Sequence, residues 1–157
     1  MQITGTTLAI LTLIVAAGLS SGITFAFSNF IMAGLDRLSA PQAIRAMQHI
    51  NETVLNPVFL VVFMVTGLAA AVLAGVDAVQ HGRPNPWLVA GALAYLFGVV
   101  GVTAAGNVPL NDALALVDGA RDPDAWRRFS EPWLRFNHVR WVAASAMVAT
   151  WTVALAS

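Results

Sequence analysis

The sequence contains no cysteine and no lysine, and each absence excludes a class of function. Without thiols the chain cannot form disulfides, cysteine-ligated zinc sites or iron–sulfur clusters, and it has no thiolate nucleophile. All 8 basic residues are arginines, and 8 acidic residues balance them to a formal net charge of zero. Nucleic-acid binding depends on an excess of positive charge, which this chain lacks. We therefore expect no nucleic-acid partner.

Charged residues make up only 10% of the 157 residues, whereas 58% are hydrophobic. A soluble domain carries roughly 25% charged residues, so this composition is typical of a membrane protein. Crossing a bilayer takes about 20 mostly apolar residues, and four segments are long enough: 8–30, 58–78, 87–106 and 138–156. The first segment lacks the basic start of a cleaved signal peptide. We predict an all-α integral membrane four-helix bundle that forms a single domain over residues 1–157.

The two longer connections, 33–57 and 107–137, must lie on the same side of the membrane. Their apolar residues recur at helical spacing, which predicts an amphipathic interfacial helix in each, along the membrane surface or across the mouth of the bundle. Asp122-Pro123 predicts the start of the second of these helices. Seven of the 8 arginines lie on this side, opposite Arg83. The positive-inside rule then predicts cytoplasmic connections and external termini, in what we expect to be a bacterial inner membrane.

Amide side chains are concentrated at that same end of the spans. Six of the seven asparagines lie there: Asn29, Asn51, Asn56, Asn107, Asn111 and Asn137. A single asparagine near a helix end usually caps it, but six at one end of a bundle predict a polar site. Asn51 continues the apolar stripe of Ile44 and Met47, so we expect it to point inward, where a buried amide needs partners. His49 and Glu52 lie on the other face and predict a solvated surface rather than a metal site.

The fourth span is short when it is counted from its last charged residue. Residues 141–157 number only 17, about 25 Å of helix against a core of about 30 Å. The helix must begin earlier, which draws Asn137, His138 and Arg140 to the membrane boundary or below it. Ionisable side chains at that depth usually face an interior cavity, and the alternative is that Arg140 extends to the lipid headgroups. His138 lies about 100° from Asn137 on a regular helix, so they serve one pocket only from different walls or from an irregular start.

The stretch NVPLN, residues 107–111, ends the third span. Pro109 disfavours a helical conformation at Val108, which predicts a break in the helix there. A broken helix at a membrane boundary frees backbone groups and amides, and these are tolerated where they line a cavity or meet partners.

These motifs resemble the anthrone oxygenase-like family of small four-helix membrane proteins. The resemblance extends over nearly the whole chain and rests on four stretches: FAFSNFIMAGLD (25–36), MQHIN (47–51), NVPLN (107–111) and WLRFNHVR (133–140). Some fungal members oxidise anthrones to anthraquinones in polyketide pathways, and most bacterial members have no assigned reaction. The resemblance implies an oxygenase that acts with O2 on an apolar, anthrone-type aromatic molecule.

The chemistry implied by this resemblance assigns a role to each polar residue of the motifs. Removing the acidic C–H proton of an anthrone gives an electron-rich enolate that reacts with O2 without a cofactor. His138 would be the base, since histidine titrates nearest neutrality, and Arg140 would bind the enolate oxygen. The amide donors would be Asn107, Asn111 and Asn137. The substrate would enter from the lipid and lie against Met47, Trp133 and Phe136, beside Asn29 and Asn51. No cofactor is predicted.

Other interpretations stay open, including one without catalysis. A metal- or haem-dependent oxidase would use His138 as a ligand, although a di-iron bundle needs more inward-facing carboxylates and histidines than the spans contain. In a non-catalytic membrane subunit or binding protein, the same polar side chains would only fix the helix ends. Gly18 and Gly22 indicate close packing inside one bundle, with a homo-oligomer as the alternative.

Overall fold

The computed structural model describes residues 4–122 and 124–156, and this part of the chain forms five helices without a strand. They are α1 (Gly5–Leu35), α2 (Ala40–Val54), α3 (Pro57–His81), α4 (Pro86–Ala115) and α5 (Ala125–Ala156). All of them except α2 are long and apolar enough to cross a membrane. The predicted all-α integral membrane fold with four spanning helices is therefore confirmed.

The starts of α3 and α4 each combine a side-chain cap with a proline. Asn56 accepts a hydrogen bond from the backbone N–H of Phe59 at the start of α3, and Asn85 accepts from Trp87 and Leu88 at the start of α4. A proline occupies the first turn in both cases, where its missing N–H costs nothing. Between these helices, Gly82 has a φ of 68°, a left-handed conformation that glycine adopts without strain. The short turn at Gly82 joins α3 and α4, which pack against each other.

The bundle is closed by contacts of α5 with α1 on one side and with α4 on the other. A Cβ atom at Gly98 of α4 would collide with the Cβ of Ala143 of α5, so these helices touch almost backbone to backbone. Tyr95, Met147 and Trp151 are fully buried in the core between them. Small residues at helix contacts permit this close approach.

Helix α2 lies across one end of the bundle and packs on α4 and α5. Its apolar stripe, Ala43, Ile44 and Met47, is fully buried. The Gln48 side chain donates to the carbonyl oxygens of Leu114 and Val117, at 2.8 and 3.2 Å, and so joins α2 to the end of α4. The first predicted amphipathic helix thus covers the mouth of the bundle.

The second predicted amphipathic segment is the first part of α5 rather than a separate helix. α5 runs for 32 residues and continues through Pro132. Its described start is Ala125, and Pro123, which was expected to begin it, lies outside the described residues. The Trp126 indole donates to Asp36 at 2.7 Å, which joins the start of α5 to the end of α1.

The predicted break at Val108 is wrong, because α4 continues through Pro109. Residues Thr103–Asn107 form a π turn, in which the N–H of Val108 bonds to the carbonyl of Thr103. A π turn is wider than an α turn, and the proline follows it in the first turn of the next α-helical stretch, where no N–H is required. The proline rule predicted a chain break where the helix changes its pitch instead.

Candidate functional site

A cavity of about 270 Å³ lies inside the bundle at the end that α2 covers. Its walls are mainly apolar and include Phe27, Met47, Phe59, Phe63, Met64 and Trp133. Its polar lining residues are Ser20, Thr24, Asn51, Thr103, Asn107, Asn111, Asn137 and Arg140. The π-helical stretches of α1, α3 and α4 all contribute side chains to these walls, and such stretches are frequent at functional sites.

Arg140 is the only charged residue among the side chains that line this cavity. It is 8% exposed, and its guanidinium lies 5.2 Å from the centre of the Trp133 ring. Nη1 donates to Thr103 Oγ1 at 3.3 Å, and Nη2 donates to Asn137 Oδ1 at 2.5 Å. In the described part of the chain, no carboxylate forms an ion pair with it, and its Nε has no hydrogen-bond partner. The cavity is therefore lined by a buried cation that has no counter-ion among the described residues.

Asn137 determines how Arg140 is oriented. Its side chain is fully buried, and its Nδ2 donates to the carbonyl of Thr24 at 2.6 Å and to Ser28 Oγ at 2.7 Å. Arginine can only donate, so the amide oxygen of Asn137 must face Arg140. The α1 acceptors and the α5 cation thus hold this amide in one orientation.

Asn107 and Asn111 both hold Trp133. The Nδ2 of Asn107 donates to the Trp133 carbonyl at 3.2 Å, and Asn111 Oδ1 accepts from the indole nitrogen at 2.9 Å. Asn107 is 1% exposed, and its Oδ1 has no partner. Asn107 Oδ1 and Arg140 Nε are the buried side-chain polar atoms without a partner among the described residues. One accepts and the other donates, and both belong to residues that line the same cavity.

Seven of the ten predicted site residues line the cavity: Met47, Asn51, Asn107, Asn111, Trp133, Asn137 and Arg140. The structure does not bring the other three into it. His138 is exposed on the outer side of α5, where it lines a shallow groove with Asn29. Phe136 is 39% exposed and packs against the backbone of Gly106. Because α5 is a regular helix here, His138 is rotated by about 100° from Asn137, away from the cavity.

Sequence reasoning missed three residues that complete the hydrogen-bond network: Thr24, Ser28 and Thr103. They carried a signal, since Ser20, Thr24 and Ser28 recur every four residues within an apolar span. Thr103 precedes Asn107 by the same interval. Polar residues at helical spacing in a membrane span indicate a face turned away from lipid.

The donor set of the cavity suits a ligand oxygen atom better than a metal ion. The lining residues include neither a carboxylate nor a histidine. Across the described residues, no group of three or more histidine, cysteine, aspartate or glutamate side chains could hold a metal. The amide and guanidinium N–H groups are donors, which bind carbonyl, hydroxyl or anionic oxygens.

Four spanning helices around an apolar cavity with a buried arginine define an integral membrane protein with an internal site. The sequence profile of the anthrone oxygenase family matches residues 47–150, about two thirds of the chain. The chain therefore belongs to the anthrone oxygenase family. Neither a curated protein nor a solved structure matches it. The matched region contains every residue of the predicted site except Asn29.

Proposed function

We propose that the protein is a membrane oxygenase that binds a flat, apolar aromatic ketone of the anthrone type and oxidises it with O2. Family membership supports the reaction class. The observation that carries the proposal is the buried guanidinium of Arg140, the only charged side chain among those that line a mainly apolar cavity. We propose that the reaction needs no cofactor.

The proposed role of Arg140 is to bind the substrate oxygen on which negative charge develops. A charge buried without a counter-ion is costly, and a fixed cation in a dry cavity stabilises an enolate far more than it would in water. Thr103 and Asn137 each accept one hydrogen bond from a terminal nitrogen of Arg140, and each of these nitrogens keeps a second N–H that can donate to a ligand oxygen. The donor is thus oriented before the substrate arrives.

The proposed substrate rings lie between the aromatic and thioether side chains of the cavity. Trp133 is fixed at both ends by Asn107 and Asn111, so its ring is a rigid surface. Met47 on α2 and Phe63 on α3 supply apolar contacts from other walls. Flat aromatic molecules gain most from offset or edge contacts with such rings.

The proposed route of entry is through the lipid-facing side of the bundle. Leu60 and Met64 of α3 and Val108 of α4 line the cavity and are about 40% exposed on their helices. These apolar side chains form a rim that a greasy polycycle can cross without entering water. The proposal locates the α2 end on the cytoplasmic side of a bacterial inner membrane, since seven of the 8 arginines lie there.

The overall reaction consumes one O2 for each molecule of substrate. One oxygen atom becomes the new carbonyl of the quinone, and the other leaves as water with the two hydrogens of the reacting ring carbon. The ring carbon is oxidised and O2 is the only oxidant. Oxygen uptake and quinone formation should therefore be equal.

The test is oxygen uptake by the detergent-purified protein on a simple anthrone, with quinone absorbance followed in parallel. Anthrone in detergent alone gives the rate of autoxidation. Uptake above this rate, one O2 for each quinone and saturable with anthrone, is the expected result. Uptake no faster than autoxidation by well-folded protein would remove anthrone oxidation as the function.

A second candidate is a non-catalytic binding protein, and the same network favours it. The hydrogen bonds of Asn137 and Arg140 join α1, α4 and α5, so they also fix the ends of the bundle. Saturable binding of an aromatic ketone by calorimetry, without uptake above autoxidation, would select this candidate.

A further inference from the structure

Four residues that stand out in the sequence lie outside the internal cavity: Asn29, His138, Gly18 and Gly22. All four line one groove between α1 and α5 on the outside of the bundle. The polar end of this groove is lined by Phe25, Ser28, Asn29, His138, Trp141 and Val142. The other end is lined by the same two aromatic residues together with smaller ones, among them Gly18, Gly22, Ser145 and Ala149. Because the two ends share these aromatic residues, they form one continuous α1–α5 groove.

The apolar end of the α1–α5 groove is a trough. Its floor is closed, because Ser21 and Ser145 are hydrogen-bonded across α1 and α5 at 2.8 Å. A Cβ atom at Gly18 or Gly22 would meet nothing within 4 Å, so the two glycines leave open space beside α1. Glycines that bring helices into contact, such as Gly98 of α4, have a neighbour at that position. The described residues therefore leave the trough unfilled.

The opposite end of the groove carries hydrogen-bonding groups without protein partners. His138 Nδ1 lies 2.8 Å from Ser28 Oγ, whereas His138 Nε2 and the Asn29 amide form no hydrogen bond with any described residue. Both residues are exposed. The length of the fourth span places His138 at the membrane boundary, where polar side chains meet lipid headgroups. A ligand at this end must therefore supply hydrogen-bonding atoms at headgroup depth.

The groove has the length of one lipid leaflet. Residues 18–29 extend about 16 Å along α1, which is about half of a hydrocarbon core of roughly 30 Å. The groove is polar at the membrane boundary and apolar from there to the middle of the membrane, as a single lipid molecule is. A spanning helix of a second protein is about 10 Å wide and crosses both leaflets. A trough that ends at mid-membrane therefore suits one acyl chain better than a helix.

We propose that the α1–α5 groove is a binding site for one glycerophospholipid of the leaflet at the α2 end of the bundle. The phosphate and ester oxygens of this lipid accept from N–H groups of Asn29 and His138, and one acyl chain lies in the trough beside Gly22. Hydrogen bonds to a charged phosphate are stronger than those to a neutral group. The rings of Phe25 and Trp141, whose centroids are 5.8 Å apart, lie between head and chain, at a depth that aromatic residues favour. The site is independent of the proposed oxygenase reaction.

The test is photo-cross-linking of the detergent-purified protein with two lipid probes that have the same acyl chains. Phosphatidylglycerol and diacylglycerol would each carry a diazirine in the middle of one chain, and mass spectrometry of peptides would locate the label; only the first probe has a phosphate. At limiting probe, phosphatidylglycerol should label residues 18–22 and 145–149 about tenfold more than diacylglycerol, the effect of two hydrogen bonds to the head. The outer face of α3, where Leu68 and Val72 are exposed, should be labelled equally by both.

Three variants connect this labelling to the groove. Gly22→Leu fills the trough and should reduce labelling by phosphatidylglycerol to the level of diacylglycerol, about tenfold lower. Asn29→Leu removes an amide that has no partner among the described residues and should reduce the labelling about threefold. Gly75→Leu is the matched control, since Gly75 is an exposed glycine of α3 with open space at its Cβ, and it should change nothing.

Three outcomes would overturn the proposal. The first is equal labelling of the groove by the two probes in the unaltered protein, whether or not the variants fold. The second is labelling of the groove no denser than that of the outer face of α3, which would indicate contact with bulk lipid only. The third is a dimer by light scattering that Gly22→Leu converts to a monomer, with an unlabelled groove, because a second copy would then cover this face.

Discussion

Asn137 and His138, adjacent in the sequence, contact the same atom, the hydroxyl oxygen of Ser28. Asn137 Nδ2 donates to it at 2.7 Å, and His138 Nδ1 lies 2.8 Å from it on the other side. Because the amide nitrogen can only donate, the single proton of Ser28 is free to point to the imidazole. The outer surface of α5 is thus connected to the cavity through Ser28 and Asn137.

Replacement of His138 by alanine tests whether it acts by contact with the substrate. His138→Ala should lower kcat/KM for anthrone oxidation by no more than about fivefold, the effect of one hydrogen bond that positions Ser28. His49→Ala is the control, because the His49 side chain is exposed on α2 and pairs with Glu52. Both are measured as oxygen uptake. A loss of about 1000-fold with the fold intact would instead support His138 as the base.

Replacement of Arg140 by glutamine tests the proposed anion-binding donor. Arg140→Gln should lower kcat/KM by about 100-fold, as expected for removal of a charged donor to an oxyanion. Arg135→Gln is a matched control on the same helix, since Arg135 is exposed and lies outside the cavity. Oxygen uptake and the circular dichroism melting curve are measured together. An Arg140→Gln protein that melts normally and retains full activity would contradict the proposal.

Chelation tests the proposal that no metal takes part. The cavity lining lacks histidine and carboxylate side chains, so uptake should be unchanged after prolonged dialysis against EDTA, with elemental analysis of the dialysed protein. Restoration of lost activity by one added metal ion would establish a metal-dependent oxidase. The absorption spectrum of the protein before dialysis would report haem in the same sample.

Contact between α4 and α5 predicts a large effect of a single methyl group. Gly98→Ala should destabilise the protein by about 1–3 kcal/mol, because the new Cβ would overlap the Cβ of Ala143. Gly75→Ala is the control, since a Cβ there meets nothing within 4 Å, and it should be neutral or stabilising by up to about 1 kcal/mol. Thermal unfolding followed by circular dichroism should shift by about 2–4 °C for each kcal/mol. Equal melting temperatures for the two variants would contradict this packing.

The absence of cysteine makes the topology directly measurable. Gln80→Cys, near the turn between α3 and α4, should react with a membrane-impermeant maleimide in intact spheroplasts. Asp124→Cys, at the opposite end, should react only after permeabilisation, because the arginine-rich end is expected to face the cytoplasm. Both positions are exposed. The reverse labelling pattern would invert the predicted orientation.

The four spanning helices could be predicted because apolar length is a strong and local signal. The role of Asn56 and Asn85 as helix caps could be inferred from the prolines that follow them. The course of α4 could not, because Pro109 obeys a local rule that assumes α-helical pitch, and the π turn before it changes the pitch. Such turns depend on packing between helices, which a single sequence does not display.

The candidate site could be predicted in composition and only partly in geometry. Asn107, Asn137 and Arg140 belong to the motifs and line one cavity. His138 belongs to the same motif but lies outside, because helical rotation separates adjacent residues whatever their chemistry. The unpaired atoms Asn107 Oδ1 and Arg140 Nε could not be predicted, since a free donor or acceptor is recognised only when all neighbours are known.

The π turn Thr103–Asn107 also affects how relatives of this chain are to be aligned. A π turn contains about one residue more than an α turn, so it amounts to an insertion that the helix absorbs without a loop. A relative whose helix is one residue shorter before the motif could still contain NVPLN. A sequence alignment would then match the two motifs although the preceding helices differ. The relative's motif would be turned by about 100° about the helix axis, and its asparagines would no longer share a wall with the arginine. Sequence identity in this motif therefore implies a shared site only where the helix before it has the same number of residues.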